Sequence, residues 1–213
     1  MKRIIFAAVT MSIMLALSGC GGGSSPQPTF VAQILSRPAL DGDIRFDSPN
    51  VFTVTQGITP SVFAGIDPVT GSEFRAFLDF PLTGTGGVPG NAFIDSARLQ
   101  IFIDSVSILP AASSVPVLIE LVSYPQPLQA TDYDRTSQPP LGSTAIITSI
   151  LPGDVGHIVS LDVTSLMVEA QHRGLANFQI RILEDLGIVL PGLFEIDDST
   201  INRAPLLEVT YSF

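Results

Sequence analysis

Between Phe74 and Phe80 the residues at 74, 76, 78 and 80 are all apolar, and Ala97 to Asp104 repeats the scheme with 97, 99, 101 and 103. A period of two sends alternate side chains to opposite faces of an extended chain, so both segments read as half-buried strands. Arg75 and Asp79 occupy the other face of the first segment around Phe77, and the arginines at 75 and 98 are expected to pair with Asp79 and Asp104. Similar short apolar runs cover 51–54, 62–66, 116–124, 143–150, 157–163, 177–183, 193–196 and 206–213, with prolines and glycines between them. About ten strands without long helices between them predict an all-β fold, an antiparallel jelly-roll or Greek-key β-sandwich. One segment departs from the pattern. Thr164 to Gly174 has apolar residues at 166, 167 and 170 on one side and a glycine at its end, which predicts one short helix over about 164–173. The Pro- and Gly-rich stretches 84–90 and 125–142 are loops.

The N-terminus carries an address. Lys2 and Arg3 precede an apolar stretch from Ile4 to Ala16, too short to span a hydrocarbon layer of roughly 30 Å, which takes about 20 helical residues. Leu17-Ser18-Gly19-Cys20 follows, the pattern of a bacterial lipoprotein cleavage site, with the only cysteine of the chain at the acylated position. This predicts a signal peptide over 1–19, lipidation of Cys20, a flexible lipidated linker over 20–33 and one β-sandwich domain over 34–213. Ten residues of such a Gly/Ser/Pro tether reach about 17 Å. Gly21 stands where an aspartate tends to mark inner-membrane retention in enterobacterial-type lipoproteins, which favours the outer membrane.

Cleavage would leave 194 residues, with the ten basic residues reduced to eight, all arginines, against twenty acids. A net charge of about −12 repels nucleic acid and anionic headgroups alike, so nucleic acid is not an expected partner and attachment falls to the lipid. Acylation of Cys20 also leaves no thiol for a disulfide or a nucleophile.

Four blocks carry a family likeness: Phe74 to Phe80; Ile94-Asp95-Ser96-Ala97-Arg98-Leu99-Gln100-Ile101-Phe102; Leu161-Asp162-Val163-Thr164-Ser165-Leu166-Met167; and Ala204-Pro205-Leu206-Leu207-Glu208-Val209-Thr210-Tyr211. In order and spacing, over about residues 40–213, they resemble the DNRLRE domain. The resemblance implies a jelly-roll sandwich similar to carbohydrate-binding modules.

Candidate chemistry is sparse. Asp41, Asp43 and Asp47 form a D-x-D-x-x-x-D run suited to structural Ca²⁺ or to a solvated acidic turn. Tyr124, Gln126, Asp132, Tyr133, Asp134 and Arg135 cluster in the Pro-rich loop, where aromatic faces and polar side chains could hold a sugar. Asp162 and Thr164 are expected to cap the helix. His157 at a strand start and His172 near the helix end read as structural, and no nucleophile-elbow, zinc-protease or phosphate-loop motif occurs. Two functions fit: a non-catalytic envelope lipoprotein with a structural or protein-interaction role, and a surface protein that binds an extracellular glycan, with Ca²⁺ as its possible cofactor. The first ranks slightly ahead.

Overall fold

The computed structural model describes residues 27–57, 59–110, 112–142, 144–184, 191–199 and 202–213. The predicted signal peptide over 1–19, Cys20 and the first part of the linker lie outside the described residues.

Twelve strands and one α-helix are found among the described residues. They are β1 (Phe30–Leu35), β2 (Gly42–Asp47), β3 (Val51–Gln56), β4 (Ser61–Ile66), β5 (Glu73–Pro81), β6 (Phe93–Ile108), β7 (Val115–Val122), β8 (Ile146–Ile150), β9 (Ile158–Asp162), α1 (Thr164–His172), β10 (Asn177–Glu184), β11 (Gly192–Asp197) and β12 (Leu206–Ser212). Every ladder is antiparallel. One layer runs β1-β12-β6-β9; the other runs β11-β4-β5-β10-β7-β8, with the β2–β3 hairpin also joined to β5 through β2. The 16-residue β6 belongs to both layers: Phe93–Gln100 pair with β12, and the stretch from Ile103 to Ile108 pairs with β11. Successive strands cross repeatedly between the layers, so the expected antiparallel sandwich is the fold.

The core lies where the two layers face each other. Ala97, Leu99, Ile101 and Ile103 of β6 point inward against Leu78, Phe80, Ile119, Leu121, Phe178 and Ile180, as the period of two requires. Helix α1 adds Leu166, Met167 and Ala170 to that core and packs against β6, β7 and β10. Asp162 Oδ1 accepts the Thr164 amide at 2.9 Å, and Thr164 Oγ1 accepts the Ala97 amide at 2.9 Å. The pair ties the start of the helix to β6, but Val163 stands at the N-cap position with no side-chain cap, so the capping expected of Asp162 and Thr164 is not found. Gly174, at φ +63°, ends the helix in a conformation that favours glycine.

Two boundaries differ from expectation. Phe30–Leu35, placed partly in a linker ending at 33, is a strand whose every residue pairs with β12, from Phe30 opposite Tyr211 to Leu35 opposite Leu206. Its partner lies about 175 residues away in sequence, so a local reading beside Pro26 and Pro28 misses it. Gly42–Asp47, read as an acidic turn, is a strand held between β3 and β5.

Candidate functional site

The outer face of the second layer is not solvated. In β5, β10 and β7 the side chains that point away from the main core are Phe77 and Asp79, Gln179 and Arg181, and Glu120 and Val122. Phe77, Arg181 and Glu120 stand in one row across the three strands, and Asp79, Gln179 and Val122 in the next. The Pro-rich loop after β7 folds over both rows. Arg181 and Glu120 are fully buried, and Arg181 donates to Glu120 Oε2 from Nε at 3.1 Å and from Nη2 at 2.7 Å. Its Nη1 donates to the Asp132 carbonyl at 3.0 Å, while Arg135 pairs with the other Glu120 oxygen. Burial lowers the Arg181 pKa from its ordinary value, and the Glu120 carboxylate opposes that shift. In the second row Gln179 donates to Asp79 Oδ2 at 2.9 Å and accepts the Tyr124 amide at 3.1 Å. Arg37, not Arg75, is the cation on Asp79. Asp104 lies 3.8 Å from Arg203 rather than pairing with Arg98.

These bonds account for most of the loop residues singled out as ligand candidates. Tyr124 is buried, its ring edge-on to Phe77 at 5.3 Å in a small second core with Ile44, Val122, Leu128 and Tyr133. Gln126 accepts from Gln56 at 2.7 Å. Asp132 is buried and accepts the Gln129 amide at 2.7 Å, closing a 3-10 turn over 130–133. Asp134 accepts the Thr136 amide at 2.8 Å, which holds its carboxyl below the usual range. Tyr124, Gln126 and Asp132 are thus each engaged in fixing the loop, Tyr124 and Asp132 as buried side chains and Gln126 as an exposed one.

Tyr133, Asp134 and Arg135 do come together, in a shallow groove completed by Phe52 and Arg75. The Arg75 guanidinium carbon lies 3.8 Å from the Tyr133 ring centre, its Nη1 donates to the Tyr133 carbonyl at 2.5 Å, and its Nε donates to Glu73 at 2.6 Å. Phe52 meets Tyr133 edge-on at 5.2 Å. Close by, Glu184 is pushed up to about 7, first by burial and then by Glu73, with Arg75 opposing. Sequence reading missed Phe52 and Arg75 because both belong to strands remote from the loop; Arg75, flanked by apolar residues yet never apolar-paired locally, was the available signal.

The acidic run does not form a cation cage. Asp41 Oδ1 accepts the Asp79 amide at 2.6 Å, Asp43 Oδ2 accepts the Phe63 amide at 3.3 Å, and Asp47 Oδ1 accepts the Ser72 hydroxyl at 2.5 Å. Residues 43 and 47 lie four positions apart on the extended strand β2 rather than looping around a centre. Among the described residues no group of three or more His, Cys, Asp or Glu side chains is arranged to hold a metal, Asp41, Asp43 and Asp47 included. Asp41 instead faces Asp198; burial, reinforced by that neighbouring carboxylate, holds the Asp41 carboxyl protonated well above the usual range.

The surface that remains is that of the strand edges. Among the described residues, strands β1, β3, β8 and β9 each pair on one side only. Together these strands, of six, six, five and five residues, contain a single charged residue, Asp162, among 22. Val31, Val51, Phe52, Ile147 and Ile158 are exposed along them. Edges are ordinarily protected by charge, proline or a bulge. No protein-family model matches the chain, and no curated protein sequence matches it.

Proposed function

We propose that this protein is a non-catalytic envelope lipoprotein whose sandwich serves a structural or protein-interaction role, docking on a partner through an exposed strand edge. The observation that carries the reading is the near-absence of charge on the four edge strands of a domain that is otherwise strongly acidic. An uncharged edge can add an extended segment of another protein by main-chain hydrogen bonds, with alternate side chains giving specificity. Strand β3, Val51–Gln56, fits best: it holds no charge, and Val51, Phe52 and Val54 are all exposed. The internal use of Asp41, Asp79, Glu120 and Arg181 supports a role without chemistry. Mild crosslinking in native envelopes followed by purification through the lipoprotein tests the proposal. A defined partner that is lost in Thr53→Lys, a variant that puts a charge on the edge, is expected; recovery of monomer alone contradicts it.

A second reading is favoured by the groove. Phe52 offers an exposed aromatic ring beside the Arg135 guanidinium and the Asp134 carboxylate, with the buried Tyr133–Arg75 stack forming the floor, a set suited to an extracellular glycan. Binding on a glycan array that disappears in Phe52→Ala would favour it over the docking role.

A further inference from the structure

Four aromatic side chains collect at one end of the first layer. Strand β1 begins there with Phe30, β6 begins with Phe93, and β12 ends with Tyr211 and Ser212, followed by Phe213. The Phe30 ring stacks on Tyr211 at 5.6 Å and meets Phe213 at 5.6 Å, while Tyr211 and Phe213 lie 5.8 Å apart. Phe93 is paired with Ser212 in the adjoining row and stands 70% exposed, with Phe213 at 44% and Phe30 at 42%. Tyr211 is half-buried and packs against the main core, and Phe93, one position out of step with it, points to the other face of the layer; Phe30, Phe93 and Phe213 all leave ring surface exposed at this end.

Their position relative to the anchor gives them a partner. The chain enters the sandwich at Phe30, ten residues after Cys20. With lipid on Cys20, a Gly-, Ser- and Pro-rich stretch of that length has a reach of about 17 Å by its composition, so the surface that holds the lipid is presented to this end of the domain at high effective concentration. Exposed phenyl and phenol rings partition to the boundary between headgroups and acyl chains. An apolar contact from the domain itself adds to attachment through lipid and fixes how the domain sits on the bilayer. The charged neighbour in the patch is Asp95, which accepts from the Ser212 hydroxyl at 3.3 Å. An acidic neighbour, in a domain without lysine, selects zwitterionic rather than anionic lipid.

We infer that Phe30, Phe93, Tyr211 and Phe213 form a membrane-contact patch that seats the lipidated domain on a zwitterionic bilayer with this end down. The inference rests on acylation of Cys20, and the test separates the two. The chain contains no tryptophan, so Phe93→Trp supplies a unique fluorophore at the patch. Val69→Trp supplies a control: Val69 is 90% exposed in the turn between β4 and β5, and the register through β11 sets that turn beyond the opposite end of β6. Both full-length variants are purified with their lipid, the acyl group is verified by mass, and they are placed in phosphatidylcholine vesicles carrying brominated chains. The expected result is a blue shift and loss of emission for Phe93→Trp with Val69→Trp unaffected, weakened when phosphatidylglycerol is added. Acylated protein in which neither tryptophan is quenched, or both are quenched equally, overturns the patch. A mature chain without acyl mass overturns the anchor, and the patch with it.

Discussion

Replacing Arg181 by methionine removes the cation that joins the sheet to the loop covering it. The guanidinium is fully buried, makes two bonds to Glu120 and one to the Asp132 carbonyl, and has no water to turn to. Breaking a buried pair from one side costs about 3–5 kcal/mol, because the remaining charge stays in the low-dielectric interior. Arg135 still reaches the other Glu120 oxygen, which places the loss at the lower end, about 3 kcal/mol. For a domain of 150–250 residues each kcal/mol moves the midpoint by roughly 2–4 °C, so Tm falls roughly 6–12 °C. Urea denaturation of Arg181→Met, Glu120→Leu and the double variant measures the coupling directly. The double variant recovers most of the loss, since an apolar pair replaces both charges and the half-exposed Arg135 returns to solvent. A loss below about 1 kcal/mol for Arg181→Met, or a double variant as unstable as the two single losses summed, refutes the argument that the pair clamps the loop.

Stability follows pH in a direction set by the buried acids. Asp41 and Asp198 are raised above their unfolded value, mainly by burial, and Asp43 is raised to about 6. The folded state therefore binds more protons than the unfolded state above the ordinary aspartate range, and stability declines as pH rises through the neutral range. Asp41→Asn flattens that decline in a series of thermal melts; an unchanged slope contradicts it. Gly65→Ala destabilises by about 1–3 kcal/mol, because Gly65 sits at φ +110° and a Cβ there would lie 2.1 Å from the Gly192 carbonyl oxygen; calorimetry reads the loss. Phe178→Ala, in the centre of the core, costs about 3–5 kcal/mol by denaturant titration. Excess EDTA leaves Tm unchanged, in line with aspartates that bond to main-chain amides rather than converge.

The alternation at 74–80 and 97–103 made the inward faces legible, and helix α1 was legible from its spacing and its closing glycine. The outer face of β5 was not. Arg75 and Asp79 look like a solvated ladder until the loop from 125 to 142 is known to lie over them, and loop placement depends on contacts remote in sequence. A signal existed in β7, where Val115–Val122 is apolar on both faces except for Glu120. Continuous apolar character marks a strand buried on both sides, so a lone glutamate within it demands a buried cation. The packing of the loop was hidden for the same reason: Tyr124 and Asp132 are polar by composition yet hold the cover in place. Strand β2 hid behind its three charges, which are satisfied by neighbours that only the fold brings near.

The docking claim meets its most direct test in amide hydrogen exchange of β3, followed in purified acylated protein and again in native envelopes. Fast exchange is expected in isolation for the β3 amides that point away from β2, and protection of those same amides in the envelope, with β10 unchanged. Equal exchange of β3 in both settings would contradict a partner strand at this edge.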